Sequence, residues 1–141
     1  MTQKLPRADT IPYWRTSRSP ADSWIAKSIE IIKKLGGNHI TEGFRASTDQ
    51  SAFLIYFELN GEHFRIVWPV LPTKFPADNP AARIQAATLL FHDVKAKALA
   101  ASILGPHTAF IGHLLLPNGK SVGEVASLEL EATLKLLEPP K

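Results

Sequence analysis

The dipeptide Asn60-Gly61 constrains this chain more than any other feature. It stands between two runs of alternating apolar residues, Ser51 to Leu59 and Glu62 to Pro72. A two-residue type I′ turn needs φ > 0 at both central residues, and Asn-Gly meets that need at the lowest steric cost. Such a short loop fixes the register. Leu59 faces Glu62, Phe57 faces Phe64, Ile55 faces Ile66 and Phe53 faces Trp68. One face of the hairpin is therefore Phe53, Ile55, Phe57, Phe64, Ile66 and Trp68, an apolar surface that must be covered. The other face presents Leu54, Tyr56 and Glu58 beside His63, Arg65 and Val67, with Tyr56 directly across from Arg65.

The flanking segments supply the cover. Ser19-Pro20-Ala21-Asp22 has the composition of a helix start, with Ser19 as the N-cap, proline at the first helical position and an acid in the first turn. Trp24, Ile25, Ile29, Ile31, Ile32 and Leu35 form a broad apolar stripe, and Gly36-Gly37 supplies the stop, so a helix is predicted over 20–35. Ile40 to Ala46 alternates as a first strand, which makes the sheet a three-stranded antiparallel meander, with Asp49-Gln50 turning into the hairpin. Pro69 and Pro72 are expected to end the third strand. Asn79-Pro80 opens a second helix that runs to Leu104 and stops at Gly105-Pro106. Its face of Ile84, Ala87, Phe91, Val94, Ala98 and Ala101 suits close packing on the sheet. Ala109 to Leu116 fits either a fourth strand or a buried helical turn. Ser121 to Glu124 reads as a capping box opening a final helix to about Leu137, with Val125, Leu128, Leu130, Leu134 and Leu137 mostly apolar.

The predicted fold is α+β: an antiparallel three- or four-stranded sheet with helices packed on one face, in the order α-β-β-β-α followed by a C-terminal helical segment. Residues 1–18, with Pro6, Pro12 and dispersed charges, read as a basic N-terminal arm ahead of one domain over 19–141. Tyr13 and Trp14 are the exception in that arm, since two large aromatics in a polar tail are expected to dock on the protein's own core.

At 141 residues the chain can bury a core without staples, and 45% apolar and 21% charged residues are ordinary for a globular protein. Zero cysteines exclude disulfides, thiolate catalysis and cysteine-based metal sites. The N-terminus has no apolar stretch of the secretory kind and no run reaches membrane-spanning length, so a soluble, cytoplasmic protein is expected.

The chemistry of the side chains points away from catalysis. His39, His63, His92, His107 and His113 show no metal-binding spacing, and no serine stands in a nucleophile motif. Gly36-Gly37 follows a helix instead of opening one, so it does not cradle a phosphate. The expectation is a non-enzymatic binding protein that needs no metal or cofactor.

Charge suggests where binding would occur. Residues 1–34 carry seven basic and three acidic side chains, whereas the remainder carries nine basic and ten acidic. A basic arm beside a near-neutral body suits contact with a phosphate backbone. The expected nucleic-acid contacts are Lys4, Arg7, Arg15 and Arg18 from the arm, with Arg45, Tyr56 and Arg65 on the outer face of the sheet. The same outer face suits a protein partner, a second copy of the chain (a homo-oligomer) included, because tyrosine and arginine are favoured at such patches. It would be closed to either if the final segment folded back over Leu54 and Val67. Arg83, Lys95 and Lys97 read as the solvated side of the second helix.

The order α-β-β-β-α over 20–104 resembles that of double-stranded-RNA-binding domains. The lysine cluster such domains carry at the second helix is missing, since Asn79-Pro80-Ala81-Ala82-Arg83 has one basic residue. A further resemblance rests on Phe64-Arg65-Ile66-Val67-Trp68-Pro69-Val70-Leu71-Pro72, on Val94-Lys95-Ala96-Lys97 and on Phe110 to Glu124, FIGHLLLPNGKSVGE. In these and in the first helix the chain is similar to a group of small uncharacterised proteins encoded in bacteriophage and prophage genomes, over most of residues 20–124. The resemblance implies a mobile-element setting, favours nucleic-acid work or interference with host proteins, and carries over no catalytic residue.

Overall fold

A computed structural model describes residues 5–47 and 50–127. Strands β1 (Asn38–Ala46), β2 (Ser51–Leu59) and β3 (Glu62–Val70) form an antiparallel sheet in the order β1-β2-β3. The hairpin has the register its turn requires, with Phe53 opposite Trp68, Ile55 opposite Ile66, Phe57 opposite Phe64 and Leu59 opposite Glu62. Asn60 and Gly61 both have positive φ, 53° and 79°. β3 runs through Pro69 instead of ending there. Among the described residues no strand lies beyond β3, so the missing N–H of Pro69 costs no ladder bond on that edge.

Helices α1 (Ala21–Lys34) and α2 (Asn79–Leu104) pack on each other and on the apolar face of the sheet. Ile25 and Ile32 from α1 and Ala86, Ala87, Leu90 and Val94 from α2 meet Phe53, Ile55, Phe57, Phe64 and Ile66 in one core. Alanines on α2 let this 26-residue helix lie close to its neighbours. α1 ends as the glycine pair requires: Gly36, at φ 99°, donates to the Lys33 carbonyl and Gly37 to that of Ile32, the Schellman pattern.

Residues 109–116 combine both forms expected of them. Helix α3 (Pro106–Phe110) drives Phe110 into the core, edge-on to Phe57 at 5.5 Å and against Phe64, and a 3₁₀ turn over Ile111–His113 follows. Leu114 then bridges Phe64, and Leu115 donates to the His63 carbonyl along the free edge of β3. A short α-helical turn and a one-residue bridge take the place of a full fourth strand. Residues 122–127 are helical after the turn at Gly119, and Ser121 Oγ accepts the Glu124 N–H at its start. Lys4, Asp49 and the rest of the expected final helix beyond 127 lie outside the described residues.

The N-terminal segment does not stand free as an arm. Ala8 is fully buried, and its N–H donates to the Pro72 carbonyl. Buried Gln85 of α2 points its amide nitrogen at the carbonyls of Ala8, Ile11 and Pro12, at 2.8, 3.1 and 3.1 Å. Tyr13 stacks on His92, as the docking expectation requires, and Ser17 Oγ accepts the Trp24 indole N–H. A segment without its own secondary structure must place its backbone groups somewhere, and here a side chain from α2 receives them.

Candidate functional site

The residues expected to contact nucleic acid do not converge. Arg7 pairs with Asp9, two positions along the same segment. Arg15 pairs with Asp78 at the start of α2, and its φ of 55° is held by that contact. Both belong to the segment lying on α2, on the helical side of the sheet. Tyr56 and Arg65 alternate with the core residues of β2 and β3 and therefore face the other way. Arg45, next to core-facing Phe44, is exposed on that same outer face of β1. The helical layer and the sheet thus separate Arg15 from Tyr56 and Arg65.

The outer face is also partly occupied. Arg65 Nη2 donates to Glu124, whose helical turn is brought there by the seam of Leu114 and Leu115 along β3. Leu54 is buried while Val67 keeps 45% of its surface exposed; the final segment expected to cover them lies mostly beyond residue 127, outside the described residues. Of the expected contacts, Arg18 and Arg45 remain exposed and outside any ion pair among the described residues. The sequence gives little warning of the Arg15-Asp78 and Arg65-Glu124 pairings, whose partners are separated by whole elements, whereas Arg7 and Asp9 lie two positions apart. The Ser121-Glu124 spacing does announce a helix start, but the Glu124 side chain reaches Arg65.

The bare apolar surface lies elsewhere. Gln85, His92, Ala96, Leu99 and Ile103 recur along one face of α2 at helical spacing. The N-terminal segment covers this face as far as His92, where Tyr13 lies 4.8 Å away, centroid to centroid. Beyond that point Leu99 is 64% and Ile103 82% exposed, and Leu104 beside them 62%. Lys95 is exposed on the same side, while Lys97 is engaged with Asp93 at 2.6 and 2.7 Å. At the end of the helix His107 Nδ1 lies 2.8 Å from both Glu62 oxygens. The face read from the sequence, Ile84, Ala87, Phe91, Val94, Ala98 and Ala101, lies on the other side of the helix, so Leu99 and Ile103 fall outside it.

His113 sits between the edge of β3 and α2. Burial, reinforced by the nearby Lys97 charge, holds its pKa below the ordinary histidine value, with Asp93 and the Arg65 backbone acting weakly in the opposite sense. Among the described residues no three His, Asp or Glu side chains gather as a metal-binding set. No described helix is long and apolar enough to cross a membrane. No known protein family, curated protein or solved structure matches this chain.

Proposed function

We propose that this chain is a non-enzymatic protein-interaction module that pairs with a second copy of itself through the C-terminal half of α2. The observation that carries the reading is the half-covered stripe of α2. Its first half needs the N-terminal segment as a lid, and its second half, Leu99 and Ile103, has none. Burying each of these side chains against a partner is worth about 2 kcal/mol. Two copies crossing antiparallel about a two-fold axis place Leu99 of one against Ile103 of the other, an arrangement that satisfies both at once. Ala96 and Ala100 flank the contact and let the helices approach closely. The same crossing carries Lys95 toward the end of the opposing α2, where Glu62 lies beside His107, so charge complements the apolar contact. A stripe this narrow supports a weak, reversible dimer, with a dissociation constant in roughly the micromolar range.

Sedimentation across a range of concentrations tests the reading. A reversible dimer that Ile103→Glu converts to a monomer, with thermal stability unchanged, is the expected result. A monomer at every concentration overturns it. The nucleic-acid reading draws less support, because Arg7, Arg15 and Arg65 already serve internal carboxylates. Salt-sensitive binding to single- or double-stranded probes that disappears in Arg18→Ala or Arg45→Ala would restore it.

A further inference from the structure

At the opposite end of the helical layer, the first turn of α1, the strands β1 and β2 and the first turns of α2 border a half-open hollow of about 180 Å³. Its floor is apolar, made by Ile25, Phe44 and Phe53, while Asp22, Glu42 and Arg83 stand at its rim. Each is there for a local reason. Asp22 occupies the first turn of α1, where the helix dipole favours an acid. Glu42 is two residues from Phe44 and opposite Ile55, so strand alternation aims it to the helical side of the sheet at the open edge. Arg83 is held over the Phe44 ring, its guanidinium carbon 4.1 Å from the centroid, which fixes a flexible cation in place.

These three charges are not spent on one another. Among the described residues none of them takes part in an ion pair, although Arg7, Arg15, Arg65 and Lys97 each have a carboxylate partner. One guanidinium and two carboxylates around a single hollow select a ligand by its charges. A simple anion would meet two carboxylates, and a simple cation would meet Arg83. A molecule that carries a cationic and an anionic group on one carbon satisfies the rim from both sides. The hollow is smaller than the roughly 300–1,000 Å³ typical of sites for drug-sized ligands, so it suits one small metabolite. Its floor asks for an apolar side chain.

We propose that this cavity binds a free apolar α-amino acid. The carboxylate lies on Arg83, the ammonium between Asp22 and Glu42, and the side chain on Ile25 and Phe53. The site is remote from Leu99 and Ile103 and does not depend on self-association. Binding here makes the protein a small-ligand binder as well as an interaction module.

The test uses the full chain, labelled for amide NMR, with three probes of one shape: L-leucine, leucinamide, which keeps only the cation, and 4-methylpentanoate, which keeps only the anion. The expected result is a saturable shift of the Gly43 amide and the Arg83 side-chain N–H with L-leucine. Each half-ligand is expected to bind at least about tenfold more weakly. Arg83→Lys keeps the charge and weakens binding, Arg83→Gln abolishes it, and Lys120→Gln, at an exposed lysine, leaves it unchanged. Absence of any saturable shift with L-leucine at high millimolar concentration overturns the proposal. Leucinamide or 4-methylpentanoate binding as tightly as L-leucine overturns it too, by showing that only one charge is read. The Ile103→Glu variant is expected to bind L-leucine normally, which separates failure of this site from failure of the dimer.

Discussion

Tyr13 lies flat on His92, with ring centroids 4.8 Å apart and planes 17° from parallel. The tyrosine sits there with φ 68°, a conformation that costs a non-glycine residue on the order of 1 kcal/mol. The stacking and the hydrogen bonds of Gln85 offset that cost. Two residues on, Arg15 repeats the device at φ 55° with Asp78 as its anchor.

Replacing Gln85 by leucine keeps the bulk of the side chain but removes the donor to three carbonyls. Leaving these groups without a partner is expected to lower stability by about 1–3 kcal/mol. Urea denaturation measures the loss, and hydrogen exchange of the Ala8 amide should quicken by more than that of amides in β2.

The two glycines after α1 are not equivalent. A Cβ on Gly37 would lie 2.5 Å from Ile32 Cγ2 and 2.8 Å from the Ile32 carbonyl oxygen, while one on Gly36 would meet only Leu59 at 3.9 Å. Gly36→Ala is therefore expected to cost about 1 kcal/mol, for its left-handed backbone alone. Gly37→Ala should cost clearly more, because helix backbone has to move. Thermal denaturation of the two variants, ranked against each other, checks this.

The pair of Arg65 and Glu124 joins the outer face of the sheet to the helical turn after Ser121. The Arg65 side chain is only 20% exposed, so it is screened less than a surface arginine. Glu124→Gln is expected to destabilise the protein by about 1 kcal/mol, at the upper end for exposed pairs. A double-mutant cycle with Arg65→Met should return a coupling of that order.

Acid should loosen the seam at His113. Its folded-state pKa lies below the ordinary value near 6.5, with burial as the main cause and Lys97 next. Between those values the unfolded chain holds more protons than the native one, so stability rises with pH in that window. The contribution is complete above about pH 7 and is lost as pH falls through the folded-state pKa. Stability curves at several pH values, compared with those of His113→Gln, should show a flatter acid limb in the variant.

Much of the fold was legible because local chemistry determined it. Asn60-Gly61 fixed the hairpin register residue by residue, and Gly36-Gly37 marked the end of α1 with the hydrogen bonds that stop requires. Ala109 to Leu116 was ambiguous for a physical reason: Phe110 is buried as a helical residue, and four positions later Leu114 is bridged to a strand. The sites were less legible. Nothing near Ala8 shows that Gln85 will claim its carbonyl, and a glutamine inside a helix ordinarily faces water. Arg7 and Arg15 look like free cations in a charge tally, yet Arg7 has Asp9 two positions away and Arg15 meets Asp78 only after folding. The rim of Asp22, Glu42 and Arg83 draws on three elements, so no spacing in the sequence could announce it.

The bond from Gln85 to Ala8 spans 77 positions. Until α2 has formed and settled on the sheet, the N-terminal segment has no groove to enter and no donor for its carbonyls. Its attachment closes a large loop for few contacts, so it belongs to the end of the folding reaction and to the beginning of unfolding. Of the described residues, the earliest in the sequence are the last to find their place.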